Sequence, residues 1–214
     1  MKDGGALIYL VDDDEAVRDS LGTLFESIGL RYEAYASALD FLQHYDQARH
    51  SCLVTDIRMP GLSGLELQQR LNEQGAELPI VFITGHGDVP MAVTAMKSGA
   101  TDFIQKPFRD QDLIDRINKA LEDDRERRKS RAEGDEIRAR LALLTPRERE
   151  VMQRVVRGQA NKVIAMDLGV SQRTVELHRA RVMRKLKMRS LAGLVHAIDK
   201  IAGTGGASGT AASQ

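Results

Sequence analysis

Residues 6–15 read ALIYLVDDDE, six apolar side chains that stop against four acids. A continuous apolar run of that length is a strand buried on both faces, as in a parallel sheet. Acids at its carboxyl end fall where open α/β sheets bind ligands. The run is too short, and too acidic on its far side, for a membrane span or a secretory signal. Outward from it, four further runs follow: YEAY at 32–35, CLVTD at 52–56, PIVFIT at 79–84 and DFIQ at 102–105. Between them apolar residues recur at helical spacing: Val17, Leu21, Leu24, Phe25, Ile28, then Leu39, Phe41, Leu42, then Leu65, Leu67, Leu71. Gly29, Gly75 and Gly99 stand where those helices should stop. Strands alternating with helices predict a doubly wound α/β domain with a five-stranded, mostly parallel sheet. The alternating YEAY run suits its edge.

The chain has 214 residues, enough for two domains, and a formal net charge of +0. That average counts against an overall basic nucleic-acid binder, but it is uneven. Residues 1–121 carry 11 basic and 19 acidic side chains, residues 122–140 seven of each, and residues 141–202 carry 13 basic and 5 acidic. The expected division is therefore a domain over 1–121, a charged helical linker over 122–140 with Gly134 as its candidate break, a basic domain over 141–202, and a disordered tail over 203–214. The single cysteine, Cys52, excludes an internal disulfide and a multi-thiolate metal site, and fits a buried thiol in the reducing cytoplasm.

Four of the strand runs end in polar groups: Asp12-Asp13-Asp14, Asp56, Thr84 and Lys106. Alone, Asp12 to Asp14 read as an acidic loop, Asp56 as a helix cap and Lys106 as a surface charge. Delivered together to one sheet edge, the carboxylates call for a cation, and hard oxygen ligands with room for water suit Mg²⁺. Asp56 as nucleophile, a metal on Asp12 and Asp13, the Thr84 hydroxyl and the Lys106 ammonium suit phosphoryl transfer to Asp56. Met59-Pro60-Gly61 reads as a turn, Phe103 as core, and His86 and Asp88 as loop residues placed to influence phosphate lifetime.

The basic segment is dense in helix punctuation. Thr145-Pro146-Arg147-Glu148 has the form of a capping box with Pro at the first helical position, and Gly158 ends that helix. Asn161 is expected to cap a second helix closing at Leu168-Gly169, Ser171 a third running to about Lys187, and Ser190 a fourth. This is a helix-turn-helix pattern. Helix three stripes Val175, Val182 and Leu186 on one side and spreads Arg173, Arg179, Arg181, Arg184, Lys185 and Lys187 around the rest. A solvated charged face is the plain alternative; the capped helix after a Gly-containing turn and the unmatched bases favour duplex DNA.

VDDDE, DIRMPGLSG, PIVFITGHGD and DFIQKPF, within residues 6–121, closely resemble the receiver domain of two-component response regulators. LTPREREVMQRVVRGQANKVIAMDLGVSQRTVELHRARVMRKLKMRSLAGLV resembles the LuxR-type helix-turn-helix, and the two together resemble the FixJ branch of the NarL/FixJ response regulators. The resemblance implies a flavodoxin-like sheet of order 2-1-3-4-5 joined by a helical linker to a four-helix DNA-binding domain. It implies Asp56 as phosphoacceptor, a Mg²⁺ site of Asp12, Asp13, Asp56 and the Arg58 backbone carbonyl, Thr84 and Phe103 as the switch pair, and a cis bond from Lys106 to Pro107. Asp13 is preferred to Asp14 because the family's acidic pair directly follows the strand, leaving Asp14 as a solvated or helix N-terminal acid. Glu176, Leu177 and Ala180 would face base edges, Lys162, Thr174, Arg179 and Lys185 would lie near phosphates, and Arg173, Arg181 and His178 complete the expected DNA set, His178 reading equally as a packed helix residue or a phosphate donor. Some relatives carry lysines where Glu176 and Ala180 stand, so their operator does not transfer; a glutamate accepts from cytosine N4. The implied partners are a sensor histidine kinase, promoter DNA, a second copy on phosphorylation and RNA polymerase, with no membrane.

Two rival classes remain at this stage. A Mg²⁺-dependent phosphohydrolase would also use Asp56, but dehalogenase-type phosphatases need an acid two residues on, where Arg58 stands. The C-terminal helices would alternatively bind protein only, in which case salt-sensitive DNA binding is absent.

Overall fold

A computed structural model of the chain describes residues 5–85 and 89–204. His86, Asp88 and residues 205–214 of the tail expected over 203–214 lie outside the described residues, while residues 203 and 204 are helical rather than disordered. The chain divides into two compact units, Met1–Arg127 and Arg128–Gln214.

In the first unit, β1 (Leu7–Val11), β2 (Arg31–Tyr35), β3 (Ser51–Asp56), β4 (Ile80–Thr84) and β5 (Asp102–Gln105) form a parallel sheet of order β2-β1-β3-β4-β5. All five strands lie where the apolar runs placed them, and β2 is an edge, half exposed as its alternation requires. Between them run α1 (Glu15–Ser27), α2 (Ala38–His44), α3 (Gly64–Glu73) and α4 (Val89–Lys97), followed by α5 (Asp110–Ala142). Alternate strand residues feed two cores, one on each face of the sheet. Tyr9, Leu53 and Phe82 pack with Phe41 and Leu67 under α2 and α3; Ile8, Leu10, Val54 and Ile83 pack with Phe25, Leu113 and Ile117 under α1 and α5. Each such fully buried side chain contributes about 1.5–3 kcal/mol. Cys52 is a free, fully buried thiol in the second core, and burial pushes its pKa up. The Lys106–Pro107 bond is cis.

Helix α5 runs through the whole expected linker and does not break at Gly134. A glycine inside a helix costs about 1 kcal/mol relative to alanine, too little to interrupt 33 residues carried by flanking ion pairs such as Asp135–Arg138. The boundary between the two units falls within α5, after Arg127.

The second unit holds α6 (Pro146–Val156), α7 (Asn161–Leu168), α8 (Gln172–Lys185) and α9 (Leu191–Thr204). One core gathers Val151, Val155, Ile164, Ala165 and Val175; the other gathers Leu144, Met152, Val182, Leu186 and Leu194. The last turns of α5 belong here: Glu133 pairs with Lys200, and Arg140 donates to the Leu186 carbonyl. The Thr145/Glu148 capping box forms as expected, as do the caps at Ser171 and Ser190. Two details differ from expectation. Asn161 is the first helical residue of α7 rather than its cap; Ala160 takes the cap position without a side-chain bond, because the Asn161 Oδ1 is engaged by Arg179 Nη1 at 2.6 Å. Helix α8 ends at Lys185, and Lys187 adopts a left-handed φ of 56° that closes the turn towards α9.

Candidate functional site

The carboxyl ends of β1, β3, β4 and β5 bring Asp12, Asp56, Thr84 and Lys106 to one edge of the sheet. Asp12 is 1% exposed. Its Oδ1 accepts from the Asp14 N–H at 2.9 Å, and its Oδ2 lies 3.5 Å from Lys106 Nζ. The same ammonium reaches Asp56 Oδ2 at 3.2 Å, while Asp56 Oδ1 accepts from the Arg58 N–H at 3.0 Å. One lysine thus serves two carboxylates. Burial raises the Asp12 pKa, opposed by the Asp14 N–H and the Lys106 charge. Burial works against the Lys106 ammonium, but Asp12 and Asp56 together hold its pKa above the ordinary value.

The supporting frame is local. Asp14 caps α1, its Oδ1 accepting from Ala16 N at 2.9 Å, which leaves Asp13 exposed between cap and strand with no hydrogen bond to the buried pair. Thr84 is 1% exposed, its carbonyl accepting from the Lys106 N–H at 2.7 Å. Phe103 is half-buried on β5 against the first core, two residues before Gln105, the register partner of Thr84. Gly61, with φ of 77°, turns the chain after Asp56, and Ser63 opens α3 with a capping box to Glu66. Gly64 sits so close that a Cβ there would lie 2.2 Å from the Asp56 carbonyl oxygen. The sequence reading missed Arg18, whose Nη1 donates to the Asp12 carbonyl at 2.8 Å. Its signal was position: a helical side chain leans back towards the N-terminus, and Arg18 stands one turn into α1.

Among the described residues no group of three or more acidic, histidine or cysteine side chains converges to hold a metal. Mg²⁺ asks for less, taking one or two carboxylates and keeping several waters. Asp12 and Asp56, hard oxygens outnumbering the one cation between them, fit that demand.

On α8, Arg173, Glu176, Leu177, Ala180 and Arg184 are exposed. At about 100° per residue they share one arc, opposite Val175 and Val182 in the cores. Arg181 is exposed beside the arc, and Lys162 is exposed at the start of α7. Thr174 is half-buried, its hydroxyl 2.8 Å from the Ser171 hydroxyl. His178 is half-buried, and its Nδ1 has no hydrogen-bond partner among the described residues. Arg179 is tied to Asn161 as above. Lys185 is tied most firmly: its Nζ donates to Glu148 Oε2 at 2.6 Å and to the Leu143 carbonyl at 3.1 Å. That bond, with the Thr145 N–H, lowers the Glu148 pKa to about 2. Lys185 therefore meets a DNA phosphate only by sharing or breaking this pair.

A parallel sheet of this order with two carboxylates and a lysine at its edge, followed by a helix-turn-helix unit, defines a two-domain response regulator. The chain belongs to that family: residues 8–118 match the response regulator receiver domain, and residues 142–198 match the bacterial regulatory proteins of the luxR family. It is 48% identical over 188 residues to the transcriptional regulatory protein FixJ of Azorhizobium caulinodans, covering 88% of this chain and 89% of that one. It is 46% identical over 190 residues to nodulation protein W of Bradyrhizobium diazoefficiens, covering 89% of this chain and 84% of that one. Among solved structures, the response regulator StyR is similar with a TM-score of 0.83 and 46% identity, covering 91% of this chain and 98% of that one. The chain is a transcriptional response regulator with a receiver domain and a LuxR-type DNA-binding domain. No described helix is long and apolar enough to cross a membrane.

Proposed function

We propose that Asp56 is the phosphoacceptor of a histidine-kinase phosphorelay and that its phosphorylation promotes dimerisation and promoter binding by α8. The observation that carries this reading is the Lys106 ammonium poised between buried Asp12 and half-buried Asp56. An Asp56 carboxylate oxygen attacks the phosphorus of a phosphohistidine; the P–N bond breaks and the imidazole leaves with a proton. Lys106 balances charge on the transferred group, and the Thr84 hydroxyl bonds one of its oxygens. Asp12, Asp13, Asp56 and the Arg58 backbone carbonyl would hold Mg²⁺, which when bound supplies positive charge against the phosphoryl oxygens. The same residues would serve hydrolysis of the resulting acyl phosphate.

Thr84 and Phe103 then relay the change, as the switch pair, to the face that pairs two copies. Two recognition helices about one DNA turn apart give specific promoter binding, and the bound dimer acts on RNA polymerase in the cytoplasm. Arg173, Glu176, Leu177 and Ala180 supply base contacts, and Lys162, Thr174 and Arg181 supply phosphate contacts. His178 and Arg179 support the helix from its half-buried side. The test is incubation with acetyl phosphate and Mg²⁺, followed by phosphate uptake and promoter binding, for the wild type and Asp56→Asn. The variant should take up no phosphate and gain no DNA affinity; equal uptake overturns the assignment.

A further inference from the structure

We infer that Arg18 is a positioning residue for the metal-and-phosphate site, acting through the main chain of Asp12 on the placement of Asp13. The inference rests on the proposed Mg²⁺ role of Asp12, Asp13 and Asp56. Every polar atom of Asp12 is anchored: its N–H donates to the Tyr35 carbonyl at 3.3 Å, Oδ1 accepts from Asp14 N, Oδ2 faces Lys106, and the carbonyl accepts from Arg18 Nη1 at 2.8 Å. The last of these sets the next residue. A peptide unit is planar, so fixing the Asp12 carbonyl oxygen fixes the N–H and Cα of Asp13. Asp13 is exposed and has no bond of its own to the buried pair, and the chain turns at once into the Asp14 cap. The point from which its side chain departs is thus inherited from a peptide plane that Arg18 holds.

Arg18 carries two opposed influences. As a cation beside Asp12, Asp13 and Asp14 it weakens attraction for a divalent ion; as an anchor it pre-organises a ligand loop. The geometry favours the anchor, because the planar guanidinium meets a carbonyl rather than a carboxylate. Losing a support of this kind lowers metal affinity about 10- to 100-fold.

The experiment is a calorimetric Mg²⁺ titration of the unphosphorylated full-length protein, with Asp12→Asn as control. Arg18→Met should bind Mg²⁺ about tenfold more weakly than wild type. Arg18→Lys, which retains the charge and a donor, should recover part of that loss. In an Asp13→Asn background, Arg18→Met should have little further effect, because both changes remove the same ligand. Affinity for Arg18→Met equal to or tighter than wild type, or full additivity with Asp13→Asn, overturns the inference while leaving the site intact. Wild-type binding that Asp12→Asn does not alter overturns the metal reading and this inference with it.

Discussion

Replacing Glu148 with glutamine removes one charge and little volume from the first turn of α6. Glu148 is 3% exposed, and its Oε2 accepts from Lys185 Nζ at 2.6 Å and Thr145 N at 2.9 Å. Deleting one partner of a buried ion pair costs about 3–5 kcal/mol. Here the Lys185 side chain is 32% exposed and keeps some water, and glutamine retains a neutral acceptor, which brings the expected loss to about 2 kcal/mol. The pH dependence has a fixed sign. Lys185 first, then the Thr145 N–H, hold the Glu148 pKa at about 2 instead of 4.5. A depressed carboxylate contributes fully above its unfolded value and loses that contribution as pH falls towards the folded one. Glutamine does not titrate, so the gap between the two proteins should be about 2 kcal/mol at pH 6 and less than half of that by pH 3. Hydrogen exchange of α6 and α8 amides in the full-length chain reads the local free energy directly. An equal gap at both pH values, or none at pH 6, refutes the pairing as the source of stability.

Gly64→Ala would place a Cβ 2.2 Å from the Asp56 carbonyl oxygen and 2.9 Å from the Phe82 ring. The strain should cost the receiver about 1–3 kcal/mol in thermal unfolding and slow phosphate uptake; no change in either sinks the close-packing argument. Arg181→Ala should reduce the slope of log affinity for promoter DNA against log salt by about one unit. Lys185→Met should lower stability instead and leave that slope nearly unchanged, and a full one-unit drop would show that Lys185 leaves Glu148 for a phosphate.

What sequence revealed here was what local chemistry determines. Apolar runs placed all five strands, and glycines such as Gly29, Gly75 and Gly158 marked helix ends where a left-handed residue is needed. The Thr145/Glu148 box was legible because both partners lie within one turn. The second bond of the same carboxylate was not, since Lys185 lies 37 residues away and only the packing of α6 on α8 joins them. Asn161 misled for the same reason: its capping propensity is local, and the competing Arg179 comes from another helix. At the strand ends the residue types were readable, because parallel topology sends them to one edge. The sharing of Lys106 between Asp12 and Asp56, and the hold of Arg18 on a main-chain carbonyl, depend on side-chain reach that no spacing rule encodes.

The arithmetic of that shared lysine reaches beyond signalling. With Asp12 and Asp56 drawing on a single ammonium, and Asp13 exposed alongside, the folded receiver confines more negative charge than it neutralises. Folding this domain therefore works against its own site, and an ion that settles there returns the difference as stability, about 2.7 kcal/mol at a hundred times its dissociation constant. On the proposed Mg²⁺ role of this site, the melting temperature of the receiver would become a gauge of the divalent ions around it, so that readiness to be switched and resistance to unfolding would rise and fall together.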